Sequence, residues 1–563
     1  MNGTATHEPS FHLLDEPWIL CLTQDGRATL SIRQVFDGSH TPLKIVGDSP
    51  TQDYAVLRLL LAIFWRAHQQ DLAAQELKRK ARVAFSWSDW FQAALNTARS
   101  SSPDEVVLAY LESHRDRFDL FHPQTPFMQV ADLHTDSGKQ LEISRIVPEA
   151  EHSYFTMRTA EGRKSLSFAE AARWLIHTQA YDYSGIKPGA VGDPRAKGNK
   201  GYPIGTGWTG MTGGTVVQGS TLRETLVLNS TQAVLSAQGS EDLPVWERPA
   251  DTAAPRSSET PRGAVDLATW QSRRIRLFHN DSSVTGVLVT NGDRIPDAGK
   301  NIFDDPMTPY RYSPNQTKKG VLAYYPLPYA TDRTMWRALD ALIVEEGDAG
   351  FTEKTRAPVR PATLSHLAQL ASEGIIDGVL DVSLVSMGYG PQSSSVATTT
   401  KAEIGLPLAI LRSEKLNAEL RLDVRNAAQA TAQAATSLGW FAGQLHVAAG
   451  GDYEFGRDAA DRLYTQLEPE FISWIRGIGT GDADEYATTW QLTVHRRVFQ
   501  LADELVRGAG PKALIGRTEG ADDAGSAGRI VSAGTLYQQL KHKIAKDLPL
   551  TVADLAPEER STR

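Results

Sequence analysis

The feature that most constrains the fold is a change of pattern after about residue 399. From there on, apolar residues recur at intervals of three and four or their multiples, which predicts amphipathic helices that each bury one face. Four such stripes can be distinguished: Leu416, Leu420, Val424, Ala427, Ala434, Leu438 and Leu445; Leu463, Leu467, Phe471 and Trp474; Trp490, Val494, Val498, Leu501 and Leu505; and Ile530, Ala533, Leu540, Ile544 and Leu548. Four helices of this kind predict a four-helix bundle over residues 399–563.

Residues 1–398 carry mixed signals instead. The segments "PWILCLT" and "ATLSIRQVF" flank the turn "QDGR" and predict two strands, helices follow from Asp53 to about Glu112, and strand-like pieces such as "SVTGVLVTN" lie between loops rich in glycine, proline and serine. The segment 248–265, with almost no bulky apolar residue, is expected to be a mobile surface insertion. The fold class is therefore predicted to be α+β: a large mixed domain with long loops over 1–398, followed by the bundle.

Composition excludes several classes of protein. Cys21 is the only cysteine, so neither a disulfide framework nor a thiolate zinc site can form, and no metal or cofactor is expected. The formal net charge of -9 argues against a generally basic nucleic-acid binder, although cationic loops can still act locally. The longest apolar run, Val56–Trp65, is too short to span a membrane, and no signal peptide is recognisable, so a cytoplasmic location is expected.

The search for enzymatic motifs finds little. The segment "GDRIPDAGKN" resembles a phosphate loop only superficially, because six residues separate Gly292 from Gly299 and Asn301 stands where Ser or Thr would hold Mg²⁺. Asp304 and Asp305 could ligate a divalent ion, although adjacent acids in a proline-rich turn are more often solvated or capping groups. A metal-dependent nuclease therefore remains an alternative, and a purely structural scaffold is a second one.

Three loops offer hydrogen-bond donors and cations. The glycine-rich run, Tyr183–Gly214, holds ten glycines and four cations in 32 residues: Lys187, Arg195, Lys197 and Lys200. Unhindered backbone N–H groups beside cations can hold phosphates or enter a groove of DNA, but such runs are also common as linkers. Lys300 follows a glycine in "DAGKN", and Gln392 follows the turn "GYGP". Either side chain, taken alone, is more often an ordinary solvated residue than a binding group.

These loops, in this order ahead of four helices, resemble the CasA family, the large subunit of the type I-E CRISPR Cascade. The segments "LLDEPWILCLTQDGRATLSIRQVF", "FHPQTPFMQV", "GGTVVQGSTLRETLVLN" and "MGYGPQ" resemble the family in register over almost the whole chain. The resemblance implies a non-catalytic reader of double-stranded DNA. Such a subunit recognises the protospacer-adjacent motif through the minor groove, starts duplex opening for guide RNA pairing, and recruits the CRISPR helicase-nuclease.

The resemblance also assigns residues and partners. It matches Gly185, Ile186 and Lys187, after Ser184, to the glycine loop of the family, Lys300 to its lysine finger and Gln392 to its glutamine wedge; Lys187 stands where the family has small residues. Further residues that it indicates are Arg195, Lys197 and Lys200 as DNA backbone contacts and Phe155 as an anchor near the guide end. The implied partners are the guide RNA with the backbone, small and guide-end subunits, the target DNA and the helicase-nuclease. Membrane association is not implied. The bundle would contact other Cascade subunits.

Overall fold

The computed structural model describes residues 10–78, 86–148, 158, 162, 164–236, 241–257, 260–318, 320–479, 483–519 and 529–551. The guide-end candidate Phe155 lies outside the described residues. The chain forms two compact units, the first comprising Met1–Thr334, Val344–Asp377 and Asp381–Glu403, and the second comprising Met335–Ile343, Gly378–Leu380 and Ile404–Arg563. The sequence predicts a single division between residues 398 and 399. In the structure the second unit also includes two short upstream segments, Met335–Ile343 and Gly378–Leu380.

Helices and strands are both abundant, which confirms the predicted α+β class with a helical C-terminal region. The α-helices are α1 (Ile32–Phe36), α2 (Pro50–Lys78), α3 (Trp87–Arg99), α4 (Glu105–Ser113), α5 (Phe168–Tyr181), α6 (Trp208–Met211), α7 (Leu222–Leu228), α8 (Gln232–Leu235), α9 (Ala264–Ala268), α10 (Thr334–Ile343), α11 (Ala362–Ser372), α12 (Leu408–Leu411), α13 (Lys415–Ala448), α14 (Arg457–Arg476), α15 (Ala483–Gly508), α16 (Gly510–Ile515) and α17 (Ala533–Asp547).

The strands form small antiparallel sheets. They are β1 (Ile19–Thr23), β2 (Gly26–Leu30), β3 (Lys44–Ile45), β4 (Lys187–Pro188), β5 (Lys200–Gly201), β6 (Gly214–Gln218), β7 (Arg273–His279), β8 (Val284–Asn291), β9 (Tyr310–Tyr312), β10 (Tyr324–Pro326), β11 (Val379–Tyr389), β12 (Val396–Pro407), β13 (Arg517–Glu519) and β14 (Arg529–Val531). The strand orders are β2-β1-β3 and β12-β11-β6, and the remaining pairs are β4-β5, β7-β8, β9-β10 and β13-β14.

Helix α2 is the centre of the first unit. Its stretch Tyr54–Trp65 is almost wholly buried, since α2 is covered by α4, α5, α8 and α9. A helix enclosed in this way carries apolar residues all round, which explains why its sequence lacks a one-sided stripe. Arg58 interrupts the apolar run and is itself buried, where its guanidinium forms an ion pair with Asp305 at 2.7 Å. No helix among the described residues is both long enough and apolar enough to cross a membrane.

The expectation of a mobile insertion over 248–265 is corrected by the structure. Arg256 lies over the Trp270 ring, with its guanidinium carbon 4.0 Å from the ring centroid. The same side chain forms ion pairs with Asp266 at 2.9 Å and Asp293 at 3.1 Å, and both carboxylates are buried. Polar residues therefore hold this segment through charge pairs, which a pattern search for apolar residues does not detect.

The second unit contains the four predicted long helices, α13, α14, α15 and α17, and α13 packs against the other three. The stripe residues of α14 and α15 are buried except for Trp474 and Leu505, which are partly exposed. The fourth helix begins only at Ala533, so Ile530 lies in β14 and is 59% exposed, contrary to its place in the predicted stripe. Trp336 of α10 stacks on Phe471 at a centroid distance of 4.1 Å, and Phe471 contacts Trp490 at 5.0 Å.

This aromatic cluster predicts a large effect of Phe471→Ala. Phe471 is fully buried, so truncation removes its ring contacts and leaves a cavity. The free energy of unfolding of the second unit should fall by about 3–5 kcal/mol in urea denaturation. Ile515→Ala is the control, because Ile515 is 80% exposed and its loss should change stability by less than about 0.5 kcal/mol. Equal stability of the two variants would contradict the packing of the cluster.

Candidate nucleic-acid interface

The glycine-rich run starts from a buried charge cluster at the end of α5. The carboxylate of Asp182 forms ion pairs with Arg145 at 2.7 Å, with Lys187 at 3.1 Å and with Arg273. Although burial opposes ionisation, Arg145, Arg273 and Lys187 hold the pKa of Asp182 well below its usual range. Arg273 also donates to the carbonyl oxygens of Asp182, Tyr183 and Gly205, so one guanidinium holds two separate parts of the chain together.

Lys187 points into the protein. Its side chain is 2% exposed, and its ammonium donates to the carbonyl oxygen of Tyr183 at 2.8 Å and lies 4.0 Å from the centroid of the Tyr183 ring. Burial lowers the pKa of Lys187 to about 7, assisted by the charges of Arg145 and Arg273 and opposed by Asp182. The ammonium therefore serves the internal cluster, and Ile186, which is 59% exposed, is the side chain presented at this point of the run.

The other three cations of the run divide into two kinds. Arg195 is partly buried, pairs with Asp193 at 3.0 Å and donates to the carbonyl oxygen of Gly292 at 2.9 Å. Lys197 and Lys200 are exposed on the hairpin around β5. The run thus has two cations that stabilise its conformation and two whose charges face solvent.

Lys300 lies in a turn, residues 297–301, whose backbone has an unusual conformation. Asp297, Ala298 and Asn301 have φ angles of 44°, 52° and 55°, in the left-handed region that non-glycine residues rarely adopt. The Asn301 side chain holds the turn, because it donates to Leu322 O at 2.9 Å and accepts from the Tyr324 N–H at 2.8 Å. Lys300 itself is partly exposed, and no described residue forms a hydrogen bond or ion pair with its ammonium. The turn therefore presents a single cation on a strained backbone.

Gln392 lies in a similar turn, residues 390–395, between β11 and β12. Gln392 and Ser393 have φ angles of 56° and 52°, and a hydrogen bond from Gly390 N to Ser395 O closes the turn at 3.0 Å. The Gln392 side chain is exposed and has no hydrogen-bond partner among the residues that the structure describes. Strained non-glycine residues persist only where their surroundings fix them, and they are concentrated at functional sites.

Contacts around α6 bring the three loops together. Ser184 donates its backbone N–H to Ser393 O at 2.7 Å, which joins the glycine-rich run directly to the Gln392 turn. A Cβ added to Gly210 of α6 would lie 2.4 Å from the hydroxyl of Tyr389, and a Cβ added to Gly299 would lie 2.9 Å from the ring of Trp208. Trp208 and Gly210 belong to one helix about 6 Å long. The Lys300 turn and Tyr389, the last residue before the Gln392 turn, therefore both pack against this short helix.

The acidic pair Asp304 and Asp305, kept as an alternative metal site, divides into one buried and one exposed residue. Asp305 is buried, and its carboxylate accepts hydrogen bonds from Arg58 at 2.7 Å, from Trp208 Nε1 at 2.6 Å and from Thr308 Oγ1 at 3.1 Å. Asp304 is exposed. Within the described ranges no three His, Cys, Asp or Glu residues form a group that could hold a metal ion. Asp305 instead fixes Trp208, and thereby α6, in place.

Comparison with known proteins identifies the family. The model of the CRISPR-associated protein Cse1 family matches residues 12–501. The chain belongs to the Cse1 family. This confirms the resemblance to CasA, since a curated relative from Thermus thermophilus, 25% identical over 445 residues, or 75% of this chain and 78% of the relative, is named CasA/Cse1. The Cse1 crystal structure from Thermobifida fusca is 37% identical, with a TM-score of 0.82 over 96% of this chain and 99% of that one.

A third similarity concerns an assembly. A chain in a solved structure described as a CRISPR RNA-guided surveillance complex superposes with a TM-score of 0.61, over 89% of this chain and 100% of that one. At 20% identity this comparison shows a shared fold.

The charge cluster predicts a specific dependence of stability on pH. Between pH 7 and about pH 10 the unfolded chain keeps a proton on Lys187 that the folded chain has released, so the free energy of unfolding should rise with pH. Lys187→Met should remove this contribution, whose slope is on the order of 1 kcal/mol per pH unit. The measurement is urea denaturation at several pH values, with exposed Lys354→Met as control. Identical slopes in both variants would mean that Lys187 stays protonated in the fold.

Proposed function

We propose that the chain is a non-catalytic subunit of a type I-E CRISPR RNA-guided surveillance complex. In this role it recognises a short motif beside the target in double-stranded DNA, through the minor groove, and starts the duplex opening that precedes guide pairing. Family membership supports the setting. The observation that carries the mechanism is the meeting of the glycine-rich run, the Lys300 turn and the Gln392 turn around α6.

The shapes of these groups suit a narrow groove. The minor groove of B-DNA is about 6 Å wide, so it admits a slender side chain or a backbone without bulky side chains. Lys300 supplies one ammonium that has no partner among the described residues, and Gly185 beside Ile186 supplies the backbone segment. Since the groove presents similar acceptors for A·T and T·A pairs, readout by these groups should tolerate related motifs.

The strained turns favour insertion because they are already ordered. A flexible loop would lose conformational entropy on entering DNA, which lowers affinity, whereas a turn fixed by Asn301 or by Ser184 has lost that freedom on folding. Gln392 on its rigid turn is proposed to insert beside the motif as a wedge. Exchange of the DNA duplex for the guide heteroduplex is nearly balanced in free energy. A wedge that stabilises the first opened base pairs by a few kcal/mol can therefore decide whether guide pairing begins.

The proposed contact set follows the geometry of the cations. It comprises Gly185, Ile186, Lys300 and Gln392 at the motif, with exposed Lys197 and Lys200 at nearby phosphates. Lys187 and Arg195 are proposed to shape the loops through their internal ion pairs rather than to contact DNA. We further propose that the chain binds the guide RNA and the other subunits of the complex, with the four-helix bundle as the contact surface for those subunits. It then recruits the helicase-nuclease, and all of this takes place in the cytoplasm.

Lys300→Ala tests motif recognition and separates this proposal from a purely structural scaffold. The guide-loaded complex should bind motif-bearing duplex roughly tenfold more weakly, the order expected for one lost groove contact, while guide loading stays intact. Binding is measured by titration of labelled duplex at fixed salt. Exposed Lys354→Ala controls for the loss of one positive charge. Unchanged duplex binding in Lys300→Ala would favour the scaffold.

Gln392→Ala tests strand opening. Alanine keeps a Cβ at the same positive φ, so the turn bears a similar backbone strain and only the wedge is removed. We expect initial duplex binding to change less than about twofold, whereas opening next to the motif slows roughly tenfold or more. Permanganate reactivity of thymines beside the motif reports opening, and exposed Gln124→Ala is the control. Equal reactivity in both variants would refute the wedge.

A further inference from the structure

Next to the Lys300 turn lies a cluster of aromatic side chains, here called the aromatic row. It consists of exposed Phe303, partly exposed Tyr312 and Tyr324, and buried Tyr310, which is 3% exposed. The Phe303 ring lies 4.9 Å from that of Tyr310 and 6.1 Å from that of Tyr324, and the rings of Tyr312 and Tyr324 are 5.5 Å apart. Tyr324 is the cross-strand partner of Tyr312, and Tyr310 is two residues before Tyr312, so all three tyrosines share one face of the β9-β10 pair.

The exposure of Phe303 is fixed by its neighbours in the chain. Phe303 is 47% exposed, which leaves a large apolar ring face in water. On one side, Ile302 is buried in the core cluster with Trp208 and Trp270. On the other side, two residues further on, Asp305 is held by Arg58 and Trp208. A backbone anchored on both sides presents the ring in one place, so the row is ordered before any ligand arrives.

The row is continuous with the Lys300 turn. The Asn301 N–H donates to Tyr324 O at 2.9 Å, and the Asn301 side chain accepts from the Tyr324 N–H at 2.8 Å. Pro326, on the same face as the tyrosines, lies against Gly299. A strand of DNA released beside Lys300 would therefore meet these rings within a few nucleotides.

The charges near the row fit the same ligand. Lys318 is exposed a few residues beyond β9 and could contact phosphates. The guanidinium of Arg311 lies 5.8 Å from the Tyr325 ring, on the face opposite the row. Exposed Asp304 beside Phe303 repels a phosphate at that point. Bases rather than phosphates should therefore face the Phe303 ring.

We infer that the aromatic row binds single-stranded DNA, the strand displaced when the duplex opens, by stacking of its bases on Phe303 and on the partly exposed Tyr312 and Tyr324. Stacking suits this ligand because every base offers a ring face, so capture does not depend on sequence. In a duplex those faces are covered by neighbouring base pairs, so the row can act only after opening. It would slow re-pairing of the two DNA strands. This inference rests on the proposed function, which supplies the opened duplex.

The test uses the guide-loaded complex and target duplexes with 2-aminopurine at single positions of the displaced strand near the motif. Stacking quenches this base, so Phe303→Ala should raise its fluorescence about twofold at one or two positions. The opened state should also close about fivefold faster, the order expected for one lost stacked base. Phe303→Leu, which keeps apolar packing without a ring, should behave like Phe303→Ala. Phe303→Trp should retain quenching, and Tyr453→Ala, a change at an aromatic residue 49% exposed in the second unit, should have no effect.

The outcomes separate this inference from the proposed function. Unchanged fluorescence and closing rate in Phe303→Ala and Phe303→Leu, while Lys300→Ala still weakens motif binding, would overturn the aromatic row as a strand site and leave the proposed function standing. A fluorescence change confined to labels on the target strand would overturn it as well. If instead Lys300→Ala and Gln392→Ala affect neither motif binding nor opening, the proposed function itself fails.

Discussion

The buried carboxylate of Asp182 organises the part of the first unit from which the candidate interface is built. Three cations surround it, and each is itself tied to other parts of the chain: Arg145 ends a short helical turn, Arg273 begins β7, and Lys187 begins β4. Removal of one partner from a buried ion pair commonly costs about 3–5 kcal/mol, because the remaining charge is left unpaired. The cluster therefore fixes where the glycine-rich run leaves α5, and Arg273 fixes where the run returns at Gly205. Glycines that would otherwise be costly to order are confined between these two points.

A second buried acid performs the corresponding task for the Lys300 turn. Asp305 binds the indole of Trp208, and Trp208 packs against Gly299, so the position of the turn depends on a side chain six residues beyond that glycine. Both acids are fully satisfied by hydrogen bonds and ion pairs inside the protein. Their energetic role is to hold strained turns whose left-handed residues each cost on the order of 1–3 kcal/mol. The turns proposed to recognise DNA are thus small, and the buried carboxylates of Asp182 and Asp305 support them.

The sequence predicted those parts of the molecule that depend on apolar periodicity. All four long helices of the second unit end within three residues of their stripes, and α13 also begins beside its stripe, because burial of one helical face imposes the spacing directly. Ile530 was assigned wrongly, since a single apolar residue before Ser532 cannot distinguish a strand from the start of a helix. The parts that depend on charge pairing were not predictable. Nothing local distinguishes Lys187, which is buried, from Lys197, which is exposed, because the difference arises from Asp182 and two arginines brought in by the fold.

The same distinction would make the proposed contacts to DNA selective in an acidic protein. A loop with four freely exposed cations would attract any duplex, with little regard to sequence and with a strong dependence on salt. Internal pairing of Lys187 and Arg195 removes two of those charges from the surface of the run, while the net charge of -9 disfavours contact elsewhere. In the proposed interface, Lys300 presents its ammonium on a turn held by Asn301, and the shape of this turn would limit its approach to DNA. Selectivity would then arise from shape. The Lys300 ammonium can reach a duplex only if the minor groove of that duplex accepts the turn that carries Lys300.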